Sequence, residues 1–129
     1  MLNLIIFLIW IHFFADFILQ TDHQAINKSK NYWVLADHCF SYSGVLLVFW
    51  ALWCFHYKGM SFAPALESAS VFASVNFIAH FITDAVTSRV CRYLWEKEQR
   101  HKFFVVIGID QALHMTVLVW SSFKILGAI

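Results

Sequence analysis

The sequence predicts an all-α polytopic membrane protein, a four-transmembrane-helix up-and-down bundle with both termini non-cytoplasmic. Three observations carry that expectation. Apolar residues make up 60% of the chain and charged residues only 13%, against about half and about a quarter in soluble domains. The apolar residues gather in four long runs, and a single proline interrupts the 129 residues. One bilayer crossing takes roughly 20 apolar residues, so the length holds about four crossings in one domain, 1–129, and little else. Several classes are excluded at once. Disorder does not suit so apolar a chain, and a net charge of +1 without a dominant basic run argues for no nucleic-acid partner. Three cysteines are too few, and odd in number, for a disulfide scaffold.

The first run spans about 2–19. It lacks a basic leading region and a small-residue cleavage site, and it carries His12 and Asp16, so it reads as a permanent helix rather than a signal peptide. The second spans about 33–55, the third about 63–86 and the fourth about 104–126. The connectors TDHQAINKSKN, HYKGMS and SRVCRYLWEKEQRHK are polar or basic, and their shortness favours antiparallel neighbours. Lys28, Lys30, Arg89, Arg92, Lys97, Arg100 and Lys102 lie in the first and third connectors, against Lys58 and Lys124 on the other side. The positive-inside rule therefore puts both basic connectors in the cytoplasm. Trp33, Trp53, Tyr57, Trp95 and Trp120 stand near helix ends, where an interfacial aromatic belt belongs.

Ionisable residues interrupt every run: His12 and Asp16, Asp37 and His38, His80 and Asp84, Asp110 and His114. An Asp at the centre of a spanning helix costs about 2.5–3.5 kcal/mol. Four would sum to roughly 10 kcal/mol as an upper bound, the size of a small domain's net stability. Such residues default to a functional reading. His12/Asp16, His80/Asp84 and Asp110/His114 are each four apart, so both members of a pair share a helix face. Gln20 and Asn76 extend two of these stripes by a turn. At 1.5 Å per residue all eight fall within roughly 15 Å of the cytoplasmic boundary. HFFAD at 12–16 and HFITD at 80–84 repeat one pattern in two helices expected to run the same way.

Imidazole and carboxylate converging inside a bundle suit a divalent metal, zinc or manganese above all, as one or two ions. His12, Asp16, His38, His80, Asp84, Asp110 and His114 are the candidate ligands, with some Asp residues orienting ligand histidines instead. Asp37 and Asp110 are candidate catalytic bases for a metal-bound water, in the manner of two-metal hydrolases. Gln20, Asn76 and Gln111 are candidate substrate-binding or ligand-orienting amides. A basic rim including Lys28 and Arg89 suits an anionic lipid or phosphate-containing substrate. Competing readings are a buried network that fixes helix register, a proton- or metal-ion-coupled transporter or channel, and a non-catalytic membrane partner of a larger complex. A b-type haem protein is disfavoured by the paired carboxylates. A transporter needs polar groups through both halves, and the outer half carries almost none beyond His56 and Glu67. Homo-oligomerisation is compatible with all of these.

DFILQTD at 16–22 with Lys28 after it, HFITD at 80–84 and DQALH at 110–114 resemble a small four-pass membrane family of bacteria and phages, described as a domain of unknown function. The pattern is more distantly similar to inner-membrane metal-dependent hydrolases. The resemblance implies a bacterial or phage origin and a bacterial inner (cytoplasmic) membrane location, and it adds Asp22 to the substrate-binding candidates alongside Lys28. Thr21 or Asp22 also has a plain structural use, capping a short helix in the connector. Cys39, Cys54 and Cys91 lack metal-ligand spacing and read as small packing residues, and His23 and His101 as solvated connector residues.

Overall fold

The computed structural model describes residues 1–127 and, among them, only helices and turns. Helix α1 (Leu2–Phe13) runs directly into a π-helical turn (Phe14–Ile18); then come α2 (Asp22–Asn27), α3 (Tyr32–Lys58), α4 (Phe62–Glu96) and α5 (Arg100–Ile125). Three of these, α3, α4 and α5, are long and apolar enough to cross a membrane, and Leu2–Ile18 forms a shorter apolar helix.

Local chemistry explains the boundaries. The Leu19 amide bonds back to the Phe14 carbonyl at 3.0 Å, closing the wider π turn that keeps Ala15 and Asp16 together on the buried side. Thr21 and Gln24 form a reciprocal capping box at the start of α2, a device that satisfies two otherwise unpaired amides. Asn31 caps α3 by accepting from the Trp33 amide. Gly59 ends α3 at φ 65°, a left-handed conformation glycine adopts without steric cost. Pro64 falls in the first turn of α4, where no amide hydrogen bond is lost.

The third connector departs from expectation. α4 continues beyond the apolar run to Glu96, α5 begins at Arg100, and only Lys97–Gln99 separate them. SRVCRYLWEKEQRHK contains no Gly or Pro to stop a helix, and Arg92–Glu96 forms an i,i+4 ion pair at 3.9 Å. Hydropathy marks where a helix can meet lipid, not where it ends.

α3 packs along α4 and α4 along α5, while α1 leans on α3 and α5, so α1 and α4 occupy one diagonal of a four-helix ring. α3 and α4 run antiparallel: Tyr32 stacks on Phe81, Phe40 meets Phe77 and Trp50 stacks on Phe72. The outward faces are strongly apolar, with Trp10, Leu52, Ile78, Ile82, Val86 and Leu113 all exposed. Exposed apolar surface on this scale needs an apolar surrounding. The interior divides into two halves. One is built from Leu4, Leu8, Leu46, Trp50, Phe72 and Leu118; the other is polar.

A candidate metal centre

The polar half is assembled from four helices and one connector. His12 comes from α1, Asp16 from the π turn, His38 from α3, His80 and Asp84 from α4 and His114 from α5; none is more than 4% exposed. The helical spacing noted in the sequence brings each pair inward, and the ring of helices brings the pairs together. The two HxxxD motifs face each other across the diagonal, with Asp16 Oδ1 3.4 Å from His80 Nε2.

The tightest group is a triangle. His38 Nε2 lies 3.1 Å from Asp16 Oδ1 and 3.1 Å from His80 Nε2, and the third edge is the 3.4 Å just given. Ligand atoms bonded at about 2.0–2.1 Å around a tetrahedral zinc stand roughly 3.3–3.4 Å apart. Asp84 Oδ2 is 3.6 Å from both imidazole nitrogens, and its Oδ1 is 3.6 Å from His114 Nε2. Three overlapping groups could hold a metal ion: His12–Asp16–His114, Asp16–His38–His80 and His80–Asp84–His114. The donor set fits a divalent ion in a second respect. His114 Nε2, 3.6 Å from Asp84 Oδ1, is buried without a hydrogen-bond partner among the described residues, a costly state for a polar atom.

Other neighbours hold the ligands in place. His80 is sandwiched between Tyr42 (centroids 4.1 Å apart) and His114 (4.2 Å, 13° between planes). His12 is engaged at both nitrogens, Nδ1 with the Tyr42 hydroxyl at 3.0 Å and Nε2 with Gln111 Oε1 at 2.9 Å. It must release Gln111 before Nε2 can serve as a ligand. Gln111 also donates to Asp16 at 3.2 Å and to Asp110 at 3.0 Å. Asp110 is partly buried, accepts a short hydrogen bond from Thr87, and lies 3.6 Å from His114 Nδ1.

Lys28 folds back from the connector into this cluster. Its Nζ donates to Asp84 Oδ2 at 2.7 Å and lies 3.4 Å from His38 Nε2. Burial works against the ammonium, but Asp84 and Asp16 outweigh it and raise the Lys28 pKa above the ordinary lysine value. The lysine therefore enters the site as a cation.

Below the cluster is a cavity of about 590 Å³, reaching from Asp16, Asp84 and Asp110 to Arg92 and Trp95 and also lined by Gln20. Several sequence candidates stand elsewhere. Asp37 is exposed and accepts from Gln24 at 2.7 Å, away from the cluster and the cavity. Asp37 and His38 are adjacent, hence about 100° apart on a helix, and only His38 turns inward. Asp22 is exposed in the first turn of α2. Asn76 bonds the Phe72 carbonyl and Ser121, at the border with the apolar half. Arg89 bonds the Ala85 carbonyl and lies over the Tyr32 ring at 4.1 Å, off the cavity. Tyr42 and Thr87 are additions the sequence reading missed. Tyr42 is four residues after His38 and Thr87 three after Asp84, so the same helical spacing rule marks both.

Fold and site together define a helical membrane protein whose interior carries His and Asp groups able to bind a metal ion. Residues 4–127 match the family model described as "Protein of unknown function (DUF3307)", and the chain belongs to that family. No curated protein and no solved structure matches it.

Proposed function

We propose that this protein is a membrane-embedded, metal-dependent hydrolase that acts on a phospholipid or lipid-linked phosphate at the cytoplasmic face of a bacterial inner membrane. In this reading the chain makes four passes, Leu2–Ile18 being the shortest, with both termini non-cytoplasmic. The Asp16–His38–His80 triangle is the observation that carries the proposal, because its edges match the spacing of ligands around one small divalent ion. His38, His80 and Asp16 would hold a first zinc or manganese ion. His80, Asp84 and His114, or His12, Asp16 and His114, offer places for a second. A bound divalent ion supplies an acidified water and polarises a phosphoester.

The chain's own groups would do the rest. Asp110, lining the cavity and positioned by Thr87 and Gln111, takes a proton from the attacking water. The water oxygen adds to phosphorus, the ester P–O bond breaks, and the proton passes to the departing alcohol. Lys28, in the cavity lining, would pair with phosphate oxygens. Asp37 has no part in this scheme, given its exposed position. The apolar half, packed from Leu4, Leu8, Leu46, Trp50, Phe72 and Leu118, favours this reading over a transporter.

One observation favours a second reading, a non-catalytic buried network: Lys28 already supplies a cation 2.7 Å from Asp84. Elemental analysis of protein purified without a polyhistidine tag separates the two. One or two equivalents of zinc or manganese, together with metal-dependent phosphate-ester cleavage, support the hydrolase. Metal-free protein whose stability is unchanged by added zinc or manganese overturns it in favour of the network.

A further inference from the structure

The cavity is open on one side of the bundle, and the character of its walls changes along its length. α2 packs against α3 but makes no backbone approach to α5, and neither does the π turn. The helices are joined above this gap by Gln111, which links α5 to His12 and Asp16. The lips are apolar: exposed Phe17 and Ile26 on one side, Phe103 and Ile107 on the other. They are continuous with the apolar outer faces of the helices. The lining also includes Lys28, which is mostly buried, and the more exposed Lys30 and Arg92.

The carboxylates that share this lining already have partners. Asp84 accepts from Lys28, Asp110 from Thr87 and Gln111, and Asp16 from Gln111. Glu96 pairs with Arg92 only at 3.9 Å and is largely exposed. Lys30 forms no ion pair among the described residues. Gln20, also in the lining, has a buried Oε1 without a partner among the described residues; a hydroxyl donor on a ligand would satisfy it.

We propose that this gap is a lateral portal for a phosphate-bearing lipid. The head group enters toward Lys28, Lys30 and Arg92, and the acyl chain leaves between the Phe17–Ile26 lip and the Phe103–Ile107 lip. A free, water-soluble phosphate has no use for the apolar lips, which is why the lipid is the favoured occupant. The inference rests on the hydrolase reading for the purpose of the portal, but lipid binding is measurable without any turnover.

The test uses the full chain in bilayer discs containing a phosphatidic acid whose acyl chain carries a photoreactive diazirine, with chelator present in one arm and zinc in the other. Labelled peptides are mapped by mass spectrometry. The expected result is labelling concentrated at Phe17, Ile26, Phe103 and Ile107 in both arms. Arg92→Gln or Lys30→Gln should lower it about fivefold, the effect of one basic residue at an anionic lipid surface, and Ile26→Trp should block it. Lys30→Gln removes no ion pair, so it serves if Arg92→Gln unfolds the chain. Labelling spread evenly over Ile78, Ile82 and Leu113, or abolished by inorganic phosphate alone, overturns the portal. Lip labelling in both arms without metal-dependent cleavage overturns the hydrolase and leaves the portal standing.

Discussion

The two halves of the bundle use the same packing device with opposite chemistry. In the apolar half Trp50 lies flat on Phe72, centroids 4.1 Å apart and planes 16° apart. In the polar half His80 lies flat on His114 at 4.2 Å and 13°. Both are buried aromatic pairs bridging neighbouring helices. The Trp50 indole N–H donates to Ser68 at 3.0 Å, so the first stack is complete as it stands. The second leaves three imidazole nitrogens buried without a hydrogen-bond partner among the described residues. A bundle that only needed to be held together would be better served by two copies of the first stack. The difference teaches that the apolar half is complete in itself, whereas the polar half holds His and Asp groups that could bind a metal ion.

Breaking the polar half should give the largest effect. His80→Ala should lower bound zinc or manganese tenfold or more, since removing even groups that merely support a ligand costs about 10–100-fold. Elemental analysis of monodisperse protein checks this, and unchanged metal content would erase the functional distinction between the halves.

Asp84→Asn tests the same half through stability. It leaves the Lys28 ammonium, paired at 2.7 Å, without its carboxylate. The expected loss is about 3–5 kcal/mol, measured by reversible unfolding in mixed micelles. Lys28→Met added to the same chain should restore most of it. Simple additivity of the two changes would show that they do not act as a pair.

The apolar half should respond differently. Trp50→Ala should cost about 2–3 kcal/mol through lost packing and leave the metal content of folded protein unchanged. A fall in metal content would mean that the halves are coupled. Smallest of all, Asp37→Asn should stay within about 0.5 kcal/mol, with metal content unaffected, because Asp37 is exposed and bonded to Gln24.

Much of this contrast was legible in the residues. His12/Asp16, His80/Asp84 and Asp110/His114 share helix faces by spacing, and each pair does turn toward the interior. The same rule, applied more strictly, separates His38 from its neighbour Asp37 and finds Tyr42 and Thr87. The short helix over the first connector was hinted at by Thr21, whose hydroxyl does cap it. The length of α4 was not legible from hydropathy, because its last turns carry charge outside the apolar run while remaining good helix.

The sequence by itself determined that this is a helical protein for an apolar surrounding, and which face of each helix is polar. Periodicity and composition are local properties, and they settle those matters one helix at a time. Only the tertiary structure decided which polar groups become neighbours: the triangle of Asp16, His38 and His80, the folding back of Lys28 onto Asp84, and the turning of Asp37 away. Those distances depend on how α1, α3, α4 and α5 slide against one another, and one helical turn of slip is about 5.4 Å. That is larger than any edge of the triangle, so the site exists only in one register of the packed bundle.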